Sequence, residues 1–269
     1  MRGWFVRIAG LSAVCSLVGP ALSQPVPTTP SPPQIHKQWV LGKQMAQDLD
    51  NRDGLIDDPA LTQYLQRIED RLAAAVGQKR LEIRLTRTSK VYATILDDGV
   101  QYLSAGLVER LENEMELAGL LAHQLAHRQV GGATTVQGSG IPVYVPPCVL
   151  SPSGIPGGNG TRRNEEQRAT VQGLGYLKAA GYDPTGLLDL FSKLAYEHPA
   201  WAQAIVPEDL LRLRGTIEDE EPPPAGYRVN TSEFAEQHDN LIASLGEAPG
   251  KRQAPRNRPS LVRAGSAPK

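Results

Sequence analysis

Two histidines four residues apart, in the run Ala122-His123-Gln124-Leu125-Ala126-His127, are the residues here whose type and spacing most directly suggest chemistry. On a helix, positions i and i+4 lie one above the other, so both imidazoles project from one face. That is how a helix offers two nitrogens to a zinc ion. Two histidines packed or hydrogen-bonded by coincidence are the bland alternative for the pair taken alone. Between them stands Gln124, whose amide can neither take up nor deliver a proton near neutral pH. Cys148, flanked by Pro147 and Val149, has no neighbouring base and reads as an inert loop thiol. Asn51-Arg52-Asp53-Gly54-Leu55-Ile56 has only a superficial calcium-loop look. With Gly54 at the sixth position, the first and twelfth fall on Leu49 and Ala60, which carry no carboxylate.

The elements that must hold these residues are legible in the apolar spacing. Asn113 followed by Glu116 makes a capping-box-like start, and Glu114 and Glu116 suit the positive end of a helix dipole. Leu117, Leu120, Leu121 and Leu125 form the buried stripe, and Gly131-Gly132 ends the run. Upstream, Asp58-Pro59 reads as an N-cap with an N1 proline, Leu61, Tyr64, Leu65, Ile68 and Leu72 keep helical spacing, and Gly77 closes the helix. Leu81, Ile83 and Leu85 alternate with polar residues as a strand does, and Tyr92 to Leu96 and Val100 to Ser104 are two further strands around the turn Asp97-Asp98-Gly99. Gly131 to Gly160 is Gly/Pro-rich and reads as a long loop, of a length that is usually functional or mobile. A helix resumes near Arg163 and stops at Gly181, and Asp183-Pro184 opens another carrying Leu187, Leu188, Leu190, Phe191 and Leu194.

At 269 residues the chain is long enough for one substantial domain with appendages, and with three Phe and three Trp its core is mainly aliphatic. A formal net charge of −1 gives no reason to expect nucleic acid. Arg2 and Arg7, the apolar run Ile8 to Val18 and the small-x-small site Ala21-Leu22-Ser23 make residues 1–23 a signal peptide, so the protein is exported to the periplasm or secreted. A retained anchor, or lipidation at Cys15, would instead associate it with the membrane. Once a signal is removed, Cys148 is the only cysteine and no internal disulfide can form. Residues 24–35 form a Pro-rich linker, and the folded part begins near Ile35. Beyond Pro199 the signal weakens, through the acidic run Glu218 to Glu221, and residues 247–269 read as a basic, disordered tail.

Leu103-Ser104-Ala105-Gly106-Leu107, then Asn113-Glu114-Met115-Glu116-Leu117-Ala118-Gly119-Leu120-Leu121-Ala122-His123, resembles one group closely. These are the CAAX-prenyl-protease-like zinc metallopeptidases, family forty-eight of that class, of the gluzincin type. Its bacterial periplasmic branch includes proteases and chaperones that act on outer-membrane assembly. Arg163-Asn164-Glu165-Glu166 and Tyr176-Leu177-Lys178-Ala179-Ala180-Gly181-Tyr182-Asp183-Pro184 are similar to the second helix and its exit, so the likeness covers roughly residues 38 to 195. Arg228 to Phe234 resembles a segment found after the core in some bacterial members.

The resemblance implies that His123, His127 and Glu166 hold one zinc ion whose fourth position takes water, with that water's pKa lowered to ~7. It also implies departures. Gln124 stands where the family has its general-base Glu, and losing such a base typically costs ~10²–10⁴ in rate. Thr170 stands at the position of an Asp that orients a ligating histidine, a contact worth ~10–100-fold in metal affinity. Tyr92 and Ala93 fall in the edge segment expected to pair extended substrate, and His198, before Pro199, lies near a His-Pro element that helps close the site.

Together these readings predict an α+β fold, a zincin-like core beside a small mixed or antiparallel sheet, in a peptidase-like zinc-binding domain at 36–200 with an extension at 201–246. The expected function is a zinc-binding, catalytically impaired exported protein serving as a scaffold or chaperone toward a protein or peptide client. The alternative is an active zinc metalloendopeptidase. The oligomeric state is not legible.

Overall fold

In a computed structural model of the chain, residues 32–96, 99–130, 134–137, 142–145, 148–150, 160–197, 206–245 and 262–263 are described. The expected signal peptide, the linker up to residue 31, Asp97-Asp98 and most of the basic tail lie outside them. The first element is α1 (Pro32–Asp53). It begins inside the stretch read as an extended linker and ends where Gly54 takes φ +66°, a conformation that costs glycine little.

From there the expected order appears. Asp58 Oδ1 accepts the Leu61 amide at 3.0 Å and Pro59 opens α2 (Pro59–Ala75), with Gly77 at φ +65° behind it. β1 (Glu82–Thr86), β2 (Ala93–Ile95) and β3 (Val100–Ser104) follow, then α3 (Ala105–Val108), capped by Ser104 Oγ. β1 and β3 run parallel with Glu82 opposite Val100, while β2 and β3 form an antiparallel hairpin with Ala93 opposite Leu103. Gly99 supplies the positive φ, +85°, that the tight turn needs.

The sheet is buried on both faces by the alternation of its strands. Ile83, Leu85, Ala93, Ile95 and Leu103 point into the main core with Leu61, Leu65 and Leu72 of α2. Tyr92, Leu96, Val100 and Tyr102 point the other way, against Ala46 and Leu49 of α1. There Tyr102 Oη donates to Asp50 Oδ1 at 2.9 Å and Tyr92 Oη to Asp53 Oδ2 at 2.9 Å, so the tyrosines keep their hydroxyls partnered under the helix.

α4 (Glu114–Val130) runs through the centre of the molecule, packed by α2, α5 (Gly160–Ala180) and α6 (Thr185–Glu197). The stretch read as a loop is not loop throughout. β4 (Thr134–Gln137) and β5 (Pro142–Val145) pair antiparallel, and β6 (Cys148–Leu150) joins the main sheet, giving the order β1-β3-β2-β6. Each strand is only three or four residues long, too short between glycines and prolines to show a period of two. The sheet is therefore mixed, and the fold is the α+β arrangement expected.

α7 (Pro207–Glu218), β7 (Tyr227–Arg228) and α8 (Ser232–Ser244) make up the extension, and Val262–Arg263 (β8) pairs with β7 out of the tail read as disordered. No helix among the described residues is long and apolar enough to cross a membrane.

Candidate metal centre

The start of α4 is held by two sets of partners. Asn113 Oδ1 accepts the Glu116 amide at 2.9 Å, as the capping reading requires, but Glu116 reaches back to the Glu112 amide at 2.9 Å and to Lys193 Nζ at 2.7 Å. The other set comes from the extension: Asn230 Oδ1 accepts the Glu114 amide at 3.1 Å, and the Val229 carbonyl accepts the Met115 amide at 3.0 Å. These bonds satisfy first-turn N–H groups that no helix can satisfy internally. The Glu114 carboxylate, almost wholly buried, accepts from Tyr64 Oη at 3.0 Å and from the Thr231 hydroxyl, with the Arg228 guanidinium 3.7 Å away. Sequence reading missed this clamp, because its halves lie more than a hundred residues apart.

Close backbone contact then fixes the middle of α4. A methyl group on Gly119 would stand 2.8 Å from backbone atoms of Leu187 in α6, and one on Gly173 of α5 would stand 3.2 Å from the Cα of His123. Helices pressed this tightly bring Glu166 of α5 over the two histidines of α4.

His123 Nε2, His127 Nε2 and Glu166 Oε2 form a triangle, each atom 3.1 Å from the other two. All three residues are fully buried, and the His123 ring meets the His127 and Phe191 rings edge-on at 4.7 and 4.8 Å. Protons alone do not satisfy the triangle. If each ring donated to Glu166, two N–H groups would face each other across the remaining side. A cation suits it better: the centre of three atoms 3.1 Å apart lies about 1.8 Å from each, and a point about 1 Å out of their plane reaches the ~2.0–2.2 Å of zinc–nitrogen and zinc–oxygen bonds. Glu166 Oε1 and His123 Nδ1 are buried without hydrogen-bond partners. The three residues form a group that could hold a metal ion.

The electrostatics agree with a ligand set. Burial lowers the His123 pKa to about 4, so its ring is neutral at physiological pH, against the opposing pull of Glu166. Burial alone would raise Glu166, yet the charge of His127 and the bonds from both rings hold its carboxyl well below the usual range.

The other sequence-predicted positions divide. Gln124 is fully buried, and neither its Oε1 nor its Nε2 has a hydrogen-bond partner. Thr170 sits one turn from Glu166, but its hydroxyl donates to the Glu166 backbone carbonyl at 2.8 Å. Tyr92, in the segment expected to pair extended substrate, has its ring packed under α1 and its hydroxyl between Asp53 and Thr86. Burial pushes that phenol well above the ordinary tyrosine range. Ala93 is buried in the main core, and the strand edge it belongs to carries β6. His198 lies outside the described residues. Phe191, against the His123 ring, was legible only as part of an apolar stripe.

Residues 59–143 match the model of Peptidase family M48. Over 185 residues the chain is 28% identical to the beta-barrel assembly-enhancing protease of Yersinia pestis, covering 60% of this chain and 38% of that protein. Over 188 residues it is 24% identical to a Vibrio cholerae protein provisionally given the same name, covering 61% of this chain and 39% of that one. The chain thus spans well under half the length of the curated relatives it matches. The matched segment contains α2, the sheet hairpin and the His123–His127 helix, so it is over this part of the chain that the likeness to the M48 family of metallopeptidases holds.

Proposed function

We propose that this protein is an exported member of that family which holds zinc but is impaired in hydrolysis, acting as a scaffold or chaperone toward protein clients in the cell envelope. The observation that carries the reading is the buried His123–His127–Glu166 triangle with Gln124, not a carboxylate, beside it. Zinc bound by these three residues would supply Lewis acidity to a carbonyl and acidify bound water. Hydrolysis further needs a group that takes a proton from the attacking water and returns it to the leaving amine. Gln124 has nearly the shape of Glu but titrates in neither direction. Its unpartnered Oε1 can accept a hydrogen bond and orient a water, which is weaker help than removing a proton. Thr170 supports the same reading, since its hydroxyl is committed to the helix backbone and a threonine offers no charge to a ligating ring.

The envelope setting rests on the signal-like N-terminus and on relatives named for enhancing beta-barrel assembly. The second reading is an active zinc metalloendopeptidase, supported by the intact ligand set. The deciding experiment measures casein cleavage by wild type and Gln124→Glu, with bound zinc quantified in both. Zinc in both and cleavage by Gln124→Glu alone support the proposal. Chelator-sensitive cleavage by wild type overturns it in favour of the active enzyme. Absence of zinc from both removes the metal from the function.

A further inference from the structure

The orientation of the His123 ring is not explained by a hydrogen bond to its second nitrogen. His123 Nδ1 is buried and finds no partner among the described residues. In most metal sites that nitrogen donates to a carboxylate, a carbonyl or water, and the bond fixes which way the ring faces. Here Thr170, at the position expected to serve a ligating ring, spends its hydroxyl on the Glu166 carbonyl at 2.8 Å. The side chain itself does not make the choice, because the Cβ–Cγ torsion of histidine is broad and roughly two-fold. Half a turn about that bond would carry Nε2 away from Glu166 and put a ring carbon in its place.

Packing from another helix meets the ring instead. The Phe191 ring of α6 stands at 88° to the His123 ring with centroids 4.8 Å apart, inside the ~4.5–7 Å range and the edge-to-face attitude that aromatic pairs favour. Phe191 is itself fully buried, and backbone contacts set its place. A methyl group on Gly186 would stand 2.4 Å from the Met115 carbonyl oxygen, and one turn further along α4 Gly119 meets the backbone of Leu187. One more turn on each helix brings His123 and Phe191 together, since Gly119 to His123 and Leu187 to Phe191 are both spaced i to i+4. The backbone of His123 is pressed in turn by Gly173 of α5. The His127 ring also meets His123, at 4.7 Å, but it is a ligand on the same helix and needs positioning itself.

We propose that Phe191 is a positioning residue for the metal centre: its ring keeps the His123 imidazole turned with Nε2 toward His127 and Glu166, the task that a hydrogen bond to Nδ1 performs in other sites. The proposal rests on the zinc reading above and adds to it a residue that is not a ligand. A side chain that only filled the core would act on stability. A positioning ring acts on the ligand, so its loss frees His123 to turn while the fold persists.

The test compares Phe191→Leu with Phe234→Leu in the full chain. Both remove a buried ring, but Phe234 lies in α8, stacked on His238 and bonded through its amide to Thr231 at the Glu114 end of α4. Histidine isotope-labelled at Cε1 reports ring motion by NMR relaxation dispersion in the metal-free protein, with the His123 signal assigned by its loss in His123→Asn. Zinc affinity is read by competition with a chromophoric chelator. Wild type should give a flat profile at His123. Phe191→Leu should show exchange there and bind zinc about tenfold more weakly or worse, whereas Phe234→Leu should match wild type in both. Phe191→Met, which fills the space with an unbranched chain, carries the same comparison if Phe191→Leu does not fold. Exchange at His123 in wild type, a flat profile or wild-type zinc affinity in the Phe191 variants, or equal losses in Phe234→Leu would each overturn the proposal. If wild type binds no zinc, the metal reading fails by itself, and the dispersion profiles alone support or overturn the role of Phe191.

Discussion

Glu69 of α2 is wholly buried, and its carboxylate is bound on one side only: Oε1 accepts the Leu81 amide at 3.0 Å, while Oε2 has no partner. Burial raises its pKa to about 7, with the Leu81 bond and the Arg128 charge opposing and Asp70 adding to the rise. The folded protein therefore keeps a proton on Glu69 that the unfolded chain releases near 4.5. Between those values the native state binds more protons than the unfolded state, so stability falls as pH rises, and above about 7 the loss is complete. At ~1.4 kcal/mol per pKa unit, raising the pH from 5 to 8 should cost roughly 2–3 kcal/mol through this residue alone. Glu69→Gln keeps the acceptor for Leu81 and removes the titration. The assay is urea unfolding of wild type and Glu69→Gln at pH 5, 6, 7 and 8. The quantity of interest is the variant-minus-wild-type difference, in which every other titrating group, the metal ligands included, cancels. The difference should be small at pH 5 and grow in favour of the variant to about 2 kcal/mol or more by pH 8. A flat difference would refute the reasoning and mean that Glu69 meets water or a cation in the folded protein.

Other substitutions probe the site and its supports. His127→Ala and Glu166→Gln should each reduce retained zinc to about a tenth or less of the wild-type content, read by metal analysis after dialysis, because either change leaves two ligands. Chelator should lower the unfolding midpoint of wild type and leave that of His127→Ala unmoved, ligand occupancy at about 100 times Kd being worth ~2.7 kcal/mol. Gly173→Ala presses a methyl group against His123 and should cost about 1–3 kcal/mol in unfolding experiments while weakening zinc retention. Tyr64→Phe removes a donor to the buried Glu114 carboxylate and should cost about 1–3 kcal/mol, whereas Tyr196→Phe, on an exposed side chain, should be neutral.

Sequence legibility followed range. α2, α4 and α6 were visible because a helix buries one face at a fixed spacing and its first turn is capped by neighbours such as Asp58, Asn113 and Asp183. The β2–β3 hairpin was visible because Gly99 sits between two apolar runs. The two histidine ligands were local to one helix. Glu166, 39 and 43 residues away from them, was reached through the resemblance and not through any spacing rule. What stayed hidden was long-range or short in extent. The direction of the Tyr92 ring was hidden, since only the placement of α1 shows which way it turns. α1 itself carries a diffuse apolar pattern behind a proline-rich start. β4 to β6 are too brief to display alternation.

The order of synthesis gives the Glu114 clamp a temporal side. Glu114 emerges from the ribosome 116 residues before Asn230 and 117 before Thr231, whereas Glu166 follows His123 by only 43. A growing chain therefore acquires its complete ligand set while the beginning of the ligand-bearing helix still lacks the partners that Asn230, Thr231 and Val229 provide. The partners of the first turn of α4 thus come from the last stretch of the extension, made when nearly all the described chain is present. A product shortened before residue 228 would keep every metal ligand yet leave the Glu114 carboxylate with Tyr64 alone of its partners, and such a fragment should behave as a loosely ordered metal binder rather than as a smaller version of the protein.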